Sequence, residues 1–125
     1  MKVSPSILGC DLLNLETELK MIEKAGADMV HLDVMDGVFV PNITFGFDII
    51  KSIKKKTKLP IDVHLMIDQP EKKIEQFISC GADYLTFHIE SSNFPIRTTS
   101  LIRSLGCRAG IAISPKTKPA YFPEL

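Results

Sequence analysis

The sequence has no excess of charge of either sign: 15 Lys and Arg stand against 15 Asp and Glu. A balanced chain offers no general electrostatic grip on nucleic acid or an anionic membrane. It lacks any apolar run near the roughly 18–20 residues of a membrane span. The segment MKVSPSILGCDLL, with one Lys and a short apolar stretch broken by Pro5 and Asp11, is expected to make a poor secretory signal. Cysteine is scarce. Cys10, Cys80 and Cys107 are odd in number and have no C-x-x-C spacing, which argues against a disulfide framework and a cysteine zinc site. Reduced thiols in a cytoplasmic protein are the expectation. What is present is ordinary: 125 residues, 45% hydrophobic and 24% charged. Those proportions exclude a disordered tail protein and suit one domain with a real core.

Strand-like runs alternate with amphipathic helical ones. Val3 to Leu8 reads as a strand. Asp11 is placed to cap a helix reaching Ala25, with Leu12, Leu15, Leu19 and Ile22 on one face. Further strands are predicted over Asp28 to Met35, Ile61 to Ile67, Tyr84 to Glu90 and Arg108 to Ser114. Further helices are predicted over Phe47 to Lys56, Pro70 to Cys80 and Arg97 to Leu105. The segment Asp36 to Phe45 is a loop. Glycine follows three of the helices, at Gly26, Gly81 and Gly106, and the first two joins read G-A-D. This β-α order supports a parallel sheet with right-handed crossovers.

The strand faces carry more information. Met29, His31, Asp33 and Met35 share one face of their strand, opposite Val30, Leu32 and Val34. Asp62, His64 and Met66 oppose Val63, Leu65 and Ile67. Thr86, His88 and Glu90 oppose Leu85, Phe87 and Ile89. Each strand thus has an aliphatic face and a mixed polar face. A doubly wound sheet, covered on both sides, should be aliphatic on both. A barrel has helices outside only and places polar groups inside, near one mouth. Length alone favours a five-stranded flavodoxin-like fold, but no closing helix follows Ser114. A signalling receiver of that fold would also want an acidic pair after its first strand, where Asp11 stands alone. The expected architecture is therefore α/β, a partial, open (β/α)8 barrel with about five strands and four helices.

His31, Asp33 and His64 lie on the polar faces of neighbouring strands, where they can converge at the C-terminal ends. Neutral imidazole nitrogen and carboxylate oxygen together suit a divalent metal. Any one of them alone is read most simply as a core residue. The joint placement is stronger, because burying all three needs compensation. Asp33 could also move a proton. His88 and Glu90 extend the polar face, either as partners of those ligands or as satisfied interior groups. Met35 and Met66 read as core filling, and Asp36-Gly37 and Pro41-Asn42 as turn chemistry.

At these residues the sequence resembles the ribulose-phosphate 3-epimerase family. The matching segments are SPSIL at 4–8, HLDVMDGVFVPNITFG at 31–46, DVHLMI at 62–67, CGAD at 80–83, HIES at 88–91 and AGIAISPKT at 109–117. The block H-x-D-x-M-D-G-x-F-V-P-N is highly specific to that family and its close sugar-phosphate relatives. The resemblance implies a TIM barrel that interconverts D-ribulose 5-phosphate and D-xylulose 5-phosphate in the pentose phosphate pathway. It implies an enediolate held on one divalent ion: zinc, iron, manganese or cobalt. By motif, His31, Asp33 and His64 match metal ligands, and Asp33 also matches the first acid/base. Ser6 and His64 match substrate-contacting residues, and Met35 and Met66 match methionines lining the enediolate plane. Family members are commonly homo-oligomeric.

The family's second acid/base Asp and its phosphate loops have no counterpart in this sequence. Residues 1–117 are expected to form the N-terminal portion of the barrel, with 118–125 a divergent, proline-containing tail. A fragment with little activity of its own, prone to associate through open sheet edges, is the corresponding expectation. The alternatives are another sugar-phosphate 3-epimerase, for instance on allulose 6-phosphate, and a non-catalytic remnant that completes its barrel against another chain.

Overall fold

The computed structural model describes residues 1–118. Four parallel strands form one sheet: β1 (Val30–Met35), β2 (Ile61–Met66), β3 (Tyr84–His88) and β4 (Arg108–Ala112). Their order in the sheet is their order in the chain, β1-β2-β3-β4. Every crossover therefore advances by one strand in the same direction, and right-handed crossovers then put all the helices on one face. A doubly wound sheet would reverse its order at a switch point. The observed order is that of a barrel wall, as the two-faced strands predicted.

The covering helices are α1 (Leu15–Lys24), α2 (Phe47–Lys56), α3 (Ile74–Ser79) and α4 (Pro95–Ser104). Val30, Leu32 and Val34 of β1 are buried in alternation, as are Ile61, Val63 and Leu65 of β2 and Leu85 and Phe87 of β3. Leu19, Ile50, Ile53, Ile74, Phe77 and Ile102 from the helices complete this core. Burying a side chain of this size stabilises the fold by about 1.5–3 kcal/mol before chain entropy is counted. Among the described residues no helix is long and apolar enough to cross a membrane.

Three expected elements differ. The predicted first strand, Val3 to Leu8, is not a sheet strand. Its backbone runs beside β1, with Val3 O accepting from Asp28 N, Pro5 O accepting from His31 N and a single bridge joining Ser6 and His31. Pro5 has no N–H to extend a ladder, and Ile7–Gly9 already turns as a 3₁₀ helix. The sheet thus has four strands where five were expected. Asp11 does cap, but it caps a 3₁₀ turn, Leu12–Asn14, that precedes α1. The helix expected over 70–80 is split: Pro70–Lys72 forms a 3₁₀ turn, and Lys73, at φ −124°, separates it from α3.

The G-A-D joins have a structural purpose. Gly26 and Gly81 adopt φ of 83° and 116°, which a side chain would strain. The Asp that follows reaches back to the start of the preceding segment. Asp28 Oδ2 accepts from Val3 N at 2.7 Å, and Asp83 Oδ2 accepts from Ile61 N at 2.8 Å. Each repeat unit thereby clasps the N-terminal end of the one before it.

Candidate active site

The polar strand faces are brought together by register. His31 lies opposite Asp62, Asp33 opposite His64, and Met35 opposite Met66. His64 in turn lies opposite Thr86. Both imidazoles turn to one oxygen of Asp33: its Oδ1 is 3.2 Å from His31 Nε2 and 3.1 Å from His64 Nδ1. The other oxygen, Oδ2, accepts a hydrogen bond from the Ser6 hydroxyl at 2.6 Å. Ser6 is carried there by the extended segment that bridges to His31. Four of the sequence-predicted site residues thus form one cluster. Met35 and Met66 are half-buried one layer nearer the C-terminal ends of β1 and β2.

The outer nitrogens of the two imidazoles are also engaged. His31 Nδ1 lies 2.7 Å from Asp62 Oδ2, which also accepts from Ser4 Oγ at 3.2 Å. His64 Nε2 lies 2.9 Å from His88 Nε2, and the two rings stack with centroids 4.9 Å apart. Nδ1 of His88 is buried without a hydrogen-bond partner; Glu90 Oε2 is 3.4 Å away. Glu90 does not extend the polar face as expected. β3 ends at His88, and Glu90 sits in the 3₁₀ turn Ile89–Ser91. There it holds the segment beyond β4, accepting from Ser114 N at 2.6 Å and from the Thr117 hydroxyl.

The loop between β1 and α2 folds over this end of the sheet. Asp36 Oδ1 accepts from Val38 N and Phe39 N, both at 2.9 Å, which makes the expected turn. Its Oδ2 also accepts from Asp68 N at 2.8 Å, tying the exits of β1 and β2 together. Thr44 accepts from Met35 N and donates to Asp33 O at 2.7 Å, pinning the backbone of the central carboxylate. Phe39 packs on the His88 ring, with centroids 5.1 Å apart. Sequence reasoning left Asp62, Ser4 and Thr44 without a role. Strand alternation had placed Asp62 on the polar face, and only the register showed that it faces His31.

The electrostatics divide the two imidazoles. The hydrogen bond to Asp62 raises the His31 pKa against the opposing effect of burial. Burial lowers that of His64, aided by the neighbouring imidazoles and opposed by Asp33. Burial pushes the Asp33 carboxyl upward, but the Ser6 hydroxyl and the two histidines outweigh it and hold it below the usual carboxylate range.

The donor set fits a divalent cation. One donor atom from each of His31, Asp33 and His64 lies within 4.8 Å of the others. Separations of 3.1 and 3.2 Å are those of neighbouring ligands on one ion with bonds of about 2.0–2.1 Å. Were the His31 ring neutral with its proton on Nδ1, toward Asp62, Nε2 would aim a lone pair at the Asp33 carboxylate. That contact would be repulsive unless a proton or a cation lay between them.

A consecutive parallel sheet with this cluster on the face away from the helices is the wall of a partial (β/α) barrel that carries a candidate metal centre. Comparison with solved structures supports the fold alone. N-succinyl Arg/Lys racemase from Bacillus cereus ATCC 14579 superposes with a TM-score of 0.61 at 17% identity, over 82% of this chain and 26% of that one. Residues 2–125 match the profile of the Ribulose-phosphate 3 epimerase family, and the chain belongs to that family. Among similar curated proteins, ribulose-phosphate 3-epimerase of Bacillus subtilis (strain 168) is 48% identical over 94% of this chain and 54% of its own length. The Synechocystis sp. protein of that name is 49% identical over 98% of this chain and 54% of its own. The chloroplastic protein of Arabidopsis thaliana is 46% identical over 92% of this chain and 42% of its own. The chain spans about half the length of the curated relatives it matches.

Proposed function

We propose that the chain supplies the metal-holding group and one proton-transfer group of a D-ribulose 5-phosphate 3-epimerase. The observation that carries this is the division of labour on Asp33. One oxygen faces two imidazoles, and the other is left to Ser6 and the open face. His31, Asp33 and His64 would hold a zinc, iron, manganese or cobalt ion. When bound, such an ion supplies a Lewis acid that lowers the cost of negative charge on a carbonyl oxygen.

Asp33 is the general base. Its lowered pKa keeps it ionised at neutral pH. Oδ2 takes the proton from C3 of the sugar, and the electron pair moves onto the C2 carbonyl to give an enediolate. Ser6, which donates to Oδ2 in the free chain, orients that oxygen and then contacts substrate, as does His64. Met35 and Met66 flank the planar intermediate with polarisable, uncharged surface. Inversion needs a second acid on the opposite face, and we assign none to the described residues.

The same reading places the step in the pentose phosphate pathway of the cytoplasm. Free Cys10, Cys80 and Cys107 accord with a reducing compartment. Association of copies is expected at the outer edge of β4, which has no partner strand among the described residues.

Proton NMR of D-ribulose 5-phosphate in D₂O tests the reading. The full chain with added Zn²⁺, Mn²⁺ or Co²⁺ should wash out the C3 proton, with D-xylulose 5-phosphate measured in the same spectra. Asp33→Asn should abolish the exchange, and Ser6→Ala should slow it. A wild-type chain that binds a divalent ion yet leaves the C3 proton in place sinks the proposal.

A further inference from the structure

We propose that Asp62 is a positioning residue: it fixes the His31 tautomer, so that Nε2 is the nitrogen offered to a divalent cation. The inference rests on the metal reading above and concerns a residue that reading leaves unused. Neighbouring parallel strands place His31 and Asp62 opposite one another in register, so the contact is set by the backbone. The 2.7 Å separation of His31 Nδ1 and Asp62 Oδ2 is that of a charge-assisted hydrogen bond. An ionised carboxylate only accepts, so the proton of this bond belongs to Nδ1. A neutral ring then carries its lone pair on Nε2, the nitrogen that faces Asp33 Oδ1. The Ser4 hydroxyl donates to the same oxygen of Asp62 and holds it in place.

Without Asp62, the carboxylate left beside the ring is Asp33, at Nε2. The proton would move to Nε2 and close the nitrogen that the cation needs. A carboxylate behind a ligating histidine is a general device for fixing ring orientation and raising ligand basicity. Its loss typically weakens metal binding by about 10–100-fold.

The chain has three histidines, so a nitrogen-15 spectrum of the labelled metal-free full chain contains three rings. At a pH where the rings are neutral, His31 should show its proton on Nδ1. Asp62→Ala should move it to Nε2 and weaken Co²⁺ binding, read by titration calorimetry, by about 10–100-fold. Asp62→Asn keeps a carbonyl oxygen in reach of Nδ1–H and should restore the tautomer and most of the affinity. Wild-type His31 protonated on Nε2 would overturn the proposal even if the variants fail to fold. So would Asp62→Ala binding Co²⁺ as tightly as wild type, which would leave the metal reading standing. A wild-type chain that binds no Co²⁺ would overturn both.

Discussion

Replacing Asp83 by Ala isolates the clasp that joins one repeat unit to the next. Asp83 Oδ2 accepts from the backbone N–H of Ile61 at 2.8 Å and from Lys54 Nζ at 2.6 Å. Ile61 is fully buried and begins β2. Removing the carboxylate leaves that N–H with no partner and little access to water, which costs about 1–3 kcal/mol. The Lys54 pair is different, because both side chains are 40% exposed. A pair so placed contributes about 0.2–1 kcal/mol. Asp83→Ala should therefore destabilise the chain by about 2 kcal/mol, mostly through the lost backbone bond. Lys54→Met should cost no more than about 1 kcal/mol. The equivalent change at the other join, Asp28→Ala, should also stay below about 1 kcal/mol, since water can take over the N–H of half-exposed Val3. Urea unfolding of the three variants decides the matter. An Asp83→Ala loss under about 0.5 kcal/mol, or one that Lys54→Met reproduces, would refute the reasoning.

Two further outcomes concern Glu90 and the metal-holding group. Burial pushes the Glu90 carboxyl upward, but its bonds to the Thr117 hydroxyl and the Ser114 N–H prevail and bring it down to about 2. A depressed carboxylate contributes its stability in full above the ordinary value of 4.5 and loses it as pH falls toward about 2. A carbon-13 titration should find Glu90 still ionised at pH 3 and Ser114 amide protection declining only below that; an ordinary Glu titration would count against the clasp. Co²⁺ or Zn²⁺ should raise the unfolding free energy by about 2.7 kcal/mol at a hundredfold excess over Kd, reversibly with EDTA. His64→Gln should remove most of that gain, and an equal gain in that variant would place the ion elsewhere.

Much of this protein was legible in the chain itself. Alternation in β1, β2 and β3 is a local property of a strand, and it set apart the aliphatic and polar faces before any partner was known. The same period put His31, Asp33, Met35, Asp62, His64 and Met66 on one side. Glycine at 26 and 81, where a helix must stop, located the joins. The first segment was misread because Val3 to Leu8 has a strand's composition, while whether a strand forms depends on how many ladder bonds its neighbour can accept.

What the sequence determined by itself is periodicity and chemical type, because both are fixed within a few residues. What only the tertiary structure decided is opposition between residues distant in the chain. Register chose Asp62 as the partner of His31 and His64 as the partner of Asp33, and a slip of one residue would have turned those side chains to the helices. Strand order is also a property of the folded sheet, because identical β-α units can be laid down in either direction; the order β1-β2-β3-β4 agrees with the barrel to which the two-faced strands pointed. The convergence of two imidazoles on one oxygen of Asp33 is a product of both: the strands supply the faces, and the sheet supplies the meeting point.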